Sequence, residues 1–161
     1  IRIALTGDLP KAFPESIDWN ELLEYTRMQG VASIAMDGLN VLIKDGSFKP
    51  IGLDAKTILQ WYALAMSIEK RHIKQLESSK ELASIWHGLG IRTLVLKGFA
   101  FAQYYPNPLH RLASDMDCYL CGRYEEGNSE MQRKGIALSR EDYRHSIFQY
   151  KDICVENHPN I

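Results

Sequence analysis

Cysteine is scarce in this 161-residue chain, which has three: Cys118, Cys121 and Cys154. An odd set without a framework spacing argues against a disulfide-stapled secreted domain, and reduced thiols in a cytoplasm fit better. No apolar run approaches the roughly 18 residues that a membrane helix needs, and no signal peptide is visible. We therefore expect a cytoplasmic protein with no membrane partner.

An excess of basic charge is also missing, because 19 Lys and Arg residues stand against 20 Asp and Glu residues and the formal net charge is -1. A protein that holds a long nucleic acid by neutralising its phosphates usually has a clear basic excess. We expect no long nucleic acid as a partner, and any nucleotide partner to be small or held locally. The chain does have 45% apolar and 24% charged residues, which is typical of a globular protein.

The apolar pattern changes character about half-way along the chain. In the first half helical spacing dominates: Asp18 and Glu21 form a capping-box signal, and residues 53–90 predict one long helix or two nearly continuous ones. In the second half short strand-like runs alternate with turn signals. The sequence predicts an α/β (α+β) fold in which a helical N-terminal region, 1–90, and an α/β core, 91–161, pack as one domain.

Four local patterns define the predicted core. Residues 91–98 read as a short buried strand, 115–120 as a second strand, and 123–135 as an interrupted helix that ends at Gly135. Residues 145–158 predict a hairpin with its turn near Lys151 and Asp152.

The stretch "LASDMDCYL" (112–120) carries two aspartates one residue apart in an apolar and aromatic run. In a strand, Asp115 and Asp117 point to the same face, where two carboxylates repel each other unless a cation lies between them. Oxygen ligands at this spacing suit Mg²⁺, which takes one or two carboxylates and leaves its other positions to water and phosphates. The same pattern also occurs at strand ends where both carboxylates are merely solvated.

A third carboxylate, Glu156, lies in the strand-like run "ICVENH" (153–158). If this strand pairs beside the first, Asp115, Asp117 and Glu156 converge, and a metal that bridges to phosphate is the common reason for such a cluster. The alternative for Glu156 is an exposed hairpin residue. His158 shares the parity of Glu156 and is either its neighbour at the site or an ordinary histidine at a strand end.

Positive and backbone groups precede the aspartates. In "LVLKGFAF" (94–101) a strand ends in Lys97-Gly98 and a helix opens, and free N–H groups at a helix N-terminus bind anions. Lys97 either adds a charge for phosphate or lies at a strand end in solvent. Arg111 either binds a triphosphate or pairs with Asp115.

These residues carry a resemblance. The stretch "LVLKGFAFAQYYPNPLHRLASDMDCYL" (94–120) resembles the signature of a bacterial, uncharacterised nucleotidyltransferase-like family of the DNA polymerase beta superfold: Leu-Lys-Gly, Tyr-Pro-x-Pro, Arg and Asp-hydrophobic-Asp. "VENH" (155–158) is similar to that family's third-carboxylate strand. The resemblance implies a small mixed β-sheet of the nucleotidyltransferase type with a helical N-terminal layer.

The resemblance also implies a reaction: Mg²⁺-dependent transfer of a nucleoside monophosphate (NMP) from a nucleoside triphosphate (NTP) to an acceptor hydroxyl. The acceptor, a small molecule, protein or RNA, is not defined. Asp115 and Asp117 would hold two Mg²⁺ ions with the bound NTP, and Glu156 would complete the second metal site or take the proton. Lys97, the Gly98 amide and Arg111 would counter the phosphate charge.

Two departures and two rivals accompany this expectation. The superfold's usual Gly-Ser pair is here Lys97-Gly98-Phe99, without a serine hydroxyl, and the chain stops three residues after His158, so we expect part of the nucleotide pocket to lie beyond residue 161. A catalytically degenerate member that only binds nucleotide or protein, and a metal-dependent phosphohydrolase with water as acceptor, remain alternatives.

Overall fold

The computed structural model describes residues 1–46, 48–112, 114–141 and 144–161. Ala113, within the aspartate-bearing stretch quoted above, lies outside the described residues. The elements follow in chain order: α1 (Arg2–Thr6), α2 (Trp19–Met28), α3 (Ala32–Asp45), α4 (Ala55–Gly88), β1 (Leu94–Val95), α5 (Phe99–Ala102), a 3₁₀ turn (Pro108–His110), β2 (Asp115–Tyr119), α6 (Tyr124–Arg133), β3 (Leu138–Glu141), β4 (Ser146–Tyr150) and β5 (Ile153–His158).

The chain forms two compact units. The first comprises Ile1–Arg71 and Tyr104–Leu112, and the second comprises His72–Gln103 and Ala113–Ile161. One boundary between the two units falls inside α4, between Arg71 and His72. Across the described ranges, no helix is long and apolar enough to cross a membrane.

The first unit is helical and has its own apolar core. Its α2 begins where the sequence predicts, because the Asp18 carboxylate accepts hydrogen bonds from the backbone N–H groups of Asn20 and Glu21 at 3.0 and 2.9 Å. The core of this unit is built from buried side chains on α2, α3 and α4: Trp19, Leu23, Ala32, Met36, Leu39, Trp61 and Ile68. The indole N–H of Trp61 donates to the Ala32 carbonyl at 2.8 Å, so its polar edge is satisfied inside the core.

The second unit contains a mixed sheet with the strand order β1-β2-β5-β4-β3. β2 and β5 are parallel neighbours, and the other pairs are antiparallel. One face of this sheet packs into an apolar core with α4 and α6, to which Leu82, Trp86, Met116, Met131, Phe148 and Val155 contribute. The other face carries the polar residues of β2 and β5, as the alternation of side chains requires.

Comparison with the predicted elements confirms several of them. The long helix over 53–90 is confirmed as one continuous helix, α4, and the hairpin is confirmed as β4 and β5. Its turn is at Lys151 and Asp152, and Lys151 has a φ of 48°, in the left-handed region that tight turns use.

Other predictions were wrong in extent. The helix predicted as interrupted over 123–135 is the uninterrupted α6, because Gly127 is there for packing: a Cβ on it would lie 2.0 Å from Leu120 Cδ1. The strand predicted over 91–98 is reduced to Leu94–Val95. Two short elements, α1 and β3, have no strong apolar period and were not predicted.

Candidate functional site

The parallel pairing of β2 with β5 brings the acidic strands side by side. In this register Asp117 lies opposite Glu156, and Asp115 lies opposite Cys154. Since side chains alternate along each strand, these four residues share one face of the sheet. We call this the acid face, and it also carries His158, which lies opposite Tyr119.

Three side chains of the acid face converge most closely. One potential ligand atom from each of Asp117, Glu156 and His158 lies within 4.8 Å of the others, and we call this group the acid cluster. His158 Nε2 is 3.1 Å from Asp117 Oδ1 and 4.0 Å from Glu156 Oε2. Asp117 is only 3% exposed, so its carboxylate sits at the base of the cluster.

Lys97 extends from the end of β1 to the acid cluster. Its ammonium donates to Asp117 Oδ1 at 3.0 Å. This hydrogen bond, followed by the charges of Asp117, Glu156 and Asp115, raises the pKa of Lys97 above its ordinary value. Lys97 is therefore a permanent cation beside the acids. The lysine side chain is 61% exposed, whereas the carboxylate it pairs with is buried and needs a partner.

Gly98 explains how Lys97 reaches β2. It has a φ of 58° and a ψ of -107°, a conformation that favours glycine. A Cβ at this position would lie 2.9 Å from the backbone carbonyl oxygen of Asp115, closer than such contacts allow. The glycine thus lets the chain turn tightly against the first aspartate and enter the single turn of α5.

Asp115 and Arg111 are placed differently from Asp117. Asp115 lies on the acid face but outside the acid cluster, and its carboxylate accepts a hydrogen bond from Ser114 Oγ at 2.9 Å. Arg111 belongs to the first compact unit, where its guanidinium carbon lies 6.0 Å from the centroid of the Tyr105 ring. A role for Arg111 at the phosphates stays a prediction.

The structure adds His145, which sequence reasoning missed. Its ring centroid lies 5.3 Å from that of His158, and its Nε2 lies 3.9 Å from Glu156 Oε2. The signal was available: Ser146 pairs with Asn157, so a hairpin with its turn at Lys151 and Asp152 puts the preceding residue opposite His158. Sequence reasoning missed His145 because it lies just before β4, outside the run that predicts a strand.

The surroundings of Cys154 and of His110 explain these two residues without a role at the acid cluster. Cys154 is half-buried on the acid face, and burial, then the charges of Glu156 and Asp115, raises the pKa of its thiol. His110, in the first unit, has each ring nitrogen against a carboxylate: Nδ1 is 2.6 Å from Asp37 and Nε2 is 2.7 Å from Glu69. His110 thus ties the 3₁₀ turn to α3 and α4.

The donor set of the acid cluster fits a divalent cation. A buried carboxylate is costly unless it is paired, and here two carboxylates and an imidazole face one point beside a lysine. Carboxylate oxygens suit Mg²⁺ and Mn²⁺, and imidazole nitrogen suits the metals of the first transition row. The geometry can therefore hold a metal and, through it, a phosphate.

A mixed sheet with paired aspartates on one strand and a third acid on its parallel neighbour agrees with an α/β fold of the nucleotidyltransferase type. Residues 15–161 match the family described as "Uncharacterised nucleotidyltransferase", and the chain belongs to that family. This match confirms the family resemblance of residues 94–120. No curated protein and no solved structure matches the chain.

Proposed function

We propose that this protein is a Mg²⁺-dependent nucleotidyltransferase that moves an NMP from an NTP to the hydroxyl of an acceptor. Membership of a nucleotidyltransferase family supports the class of reaction. The observation that carries the proposal for this chain is the convergence of Asp117, Glu156 and His158 beside Lys97 on one sheet face. Bare acids at such close range are costly, whereas a site for metal and phosphate needs them.

In this proposal Asp115, Asp117 and Glu156 hold the metal, with two ions when the NTP is present. Bound Mg²⁺ offsets charge on the triphosphate and lowers the pKa of the acceptor hydroxyl. Glu156 is less buried than Asp117, with a side chain 26% exposed, so an acceptor can approach it. It completes the second metal site or takes the acceptor's proton.

Lys97, the Gly98 amide and Arg111 counter charge on the phosphates. The Lys97 ammonium is close to Asp117 yet largely in solvent, so it can turn from the carboxylate to a phosphate without being desolvated. In the transfer, the acceptor oxygen forms a bond to the α-phosphorus while the bond from this phosphorus to the pyrophosphate oxygen breaks. Pyrophosphate leaves with the electron pair, and the residues act through position and charge.

The direct test is transfer of label from an α-labelled NTP to a panel of small alcohols, proteins and RNA ends in the presence of Mg²⁺. Asp117→Asn keeps the shape of the side chain but removes its charge, and we expect transfer to fall by more than about 100-fold, since even outer partners of a metal site are worth about 10- to 100-fold. Asp152→Asn, in the exposed turn of the same unit, is the matched control and should retain activity.

The products separate the rival functions. Labelled acceptor supports nucleotidyl transfer, whereas free NMP as the only product would identify a phosphohydrolase. Nucleotide binding without any product would identify a catalytically degenerate member. Full transfer by a folded Asp117→Asn protein would contradict the proposed site.

A further inference from the structure

We infer that His158 is itself a ligand of the metal, and that its imidazole makes the centre favour Mn²⁺ over Mg²⁺ more strongly than the carboxylates alone would. This deepens the proposed function, on which it rests for the presence of a divalent metal at the acid cluster. Mg²⁺ remains a usable ion for the reaction, while Mn²⁺ is the tighter binder.

The position of His158 is the first support. It lies two residues after Glu156 on β5, so both side chains emerge from the same face of the sheet. Neighbouring ligands in an octahedral site of about 2.1 Å radius are roughly 3 Å apart. His158 Nε2 is 3.1 Å from Asp117 Oδ1, close to that spacing, and 4.0 Å from Glu156 Oε2, about 1 Å longer than that spacing. Only small side-chain shifts are needed to make the three atoms ligands of one ion.

The composition of the acid cluster is the second support. Within the described residues, the close group of potential ligand atoms comprises Asp117, Glu156 and His158, while Asp115 lies outside it. The Nε2 atom of the ring faces the two carboxylates. When a cation binds, the proton on Nε2 moves to Nδ1 or is released to solvent, and the ring then needs only a small shift to present the Nε2 lone pair. The innermost donor set is thus two oxygens and one nitrogen.

Ligand chemistry gives the selectivity. Mg²⁺ is a hard cation that takes oxygen ligands and keeps several waters, whereas Mn²⁺, although it also suits oxygen and is the weakest binder of the first transition row, accepts imidazole nitrogen more readily than Mg²⁺ does. An imidazole in the donor set should therefore strengthen Mn²⁺ binding much more than Mg²⁺ binding. Loss of the nitrogen should reduce the ratio of the two affinities.

The chain offers a matched control in His145. This histidine also lies near Glu156, with Nε2 at 3.9 Å from Oε2, and its ring is 5.3 Å from that of His158. It is outside the acid cluster. Replacing His145 therefore changes the surroundings of the site without removing the inferred ligand.

The experiment measures metal binding without nucleotide or turnover. Wild-type, His158→Gln and His145→Gln proteins are stripped with a chelator and titrated calorimetrically with MnCl₂ and MgCl₂. Glutamine keeps an amide N–H for Asp117 and offers only oxygen to a metal. We expect the Mn²⁺-to-Mg²⁺ affinity ratio to fall by about 10-fold or more in His158→Gln, and to change by less than about 3-fold in His145→Gln.

Pulsed electron paramagnetic resonance of bound Mn²⁺ reads the ligand directly. The wild type should show coupling to an imidazole ¹⁴N nucleus that changes when histidine is labelled with ¹⁵N, a readout that needs no variant to fold. The coupling should vanish in His158→Gln and persist in His145→Gln. Absence of Mn²⁺ binding, absence of the coupling in the wild type, or its loss in His145→Gln alone would each overturn the inference.

The two proposals fail separately. Histidine coupling in a protein that transfers no nucleotide would contradict the proposed function and support the inference. Nucleotide transfer by a protein whose Mn²⁺ shows no nitrogen coupling would support the proposed function and contradict the inference.

Discussion

At Asp117, burial and charge oppose each other. The residue is 3% exposed, and an isolated carboxylate at such a depth would shift to its neutral form or destabilise the fold. Its Oδ1 atom accepts from Lys97 and lies beside His158 Nε2, so two nitrogen groups share one oxygen. Lys97 thus supplies the positive charge that a carboxylate needs at this depth.

Lys97 contacts the Asp117 carboxylate and is also exposed to solvent, which yields a prediction at the residue scale. Lys97→Met removes a charge that repels an incoming cation and attracts phosphate. We expect Mn²⁺ binding without nucleotide to stay equal or become several-fold tighter, while NTP binding weakens by about 10-fold, the size of one charge-assisted hydrogen bond. Calorimetric titration of each ligand measures both effects.

Lys151→Met is the control for this prediction, since Lys151 is an exposed lysine of the same unit that pairs with Glu81. It should change neither affinity. Unaltered NTP binding in Lys97→Met would show that Lys97 serves the carboxylate alone.

At the element scale, two helical glycines differ in the room they leave for a side chain. A Cβ on Gly38 of α3 would meet Ala4 N at 3.5 Å, an ordinary contact, whereas one on Gly127 of α6 would lie 2.0 Å from Leu120 Cδ1. Gly38→Ala should therefore stabilise the protein by about 0.5–1 kcal/mol through helix propensity. Gly127→Ala should destabilise it by about 1–3 kcal/mol, because overpacking outweighs that gain.

The measurement for this pair is the midpoint of urea unfolding followed by circular dichroism. Opposite shifts are the expected result. If both midpoints rise, the α6 packing has room for a methyl group and the reason given for its glycine is wrong.

Local sequence patterns predict part of this fold and part of the acid cluster. The two-residue period of "DMDCYL" and "ICVENH" fixes which side chains share a face, and the Asp18 cap and the Lys151 turn are local chemistry. The direct parallel pairing of β2 with β5 is a long-range event that local patterns only permit. It decides that Asp117, rather than Asp115, lies opposite Glu156.

Packing explains what local patterns misjudged. Gly127 resembles a helix interruption in sequence, yet its lack of a side chain is what lets α6 approach Leu120. Likewise, β1 covers only Leu94–Val95 of residues 91–98, and the chain leaves the sheet after Leu96 donates to the Asp117 carbonyl, because Gly98 turns it into α5. Tertiary contacts of this kind cannot be read from one segment alone.

At the scale of the whole chain, charge balance is the feature with a measurable consequence. Lys and Arg nearly equal Asp and Glu in number, and the isoelectric point is about 6.6. Self-repulsion between molecules is therefore weakest near that pH. We expect light scattering of this 161-residue chain at low salt to rise to a maximum within about one unit of the isoelectric point, and to fall on either side.

A control with added salt separates the causes of this association. Screening should reduce attraction between opposite charges on neighbouring molecules, so scattering near the isoelectric point should fall as salt rises. Scattering that grows with pH distance from the isoelectric point would contradict the argument from net charge.

The parallel pairing of β2 and β5 also determines when the acid cluster can form during synthesis of the chain. Asp117 and His158 are 41 positions apart, so a ribosome completes α6, β3, β4 and most of β5 before the last member of the acid cluster exists. Synthesis at about 5–20 residues per second is slow compared with forming a helix or a hairpin. During synthesis, the strand edge of β2 that faces β5 therefore stays unpaired, and the acid cluster forms only once β5 has paired beside it.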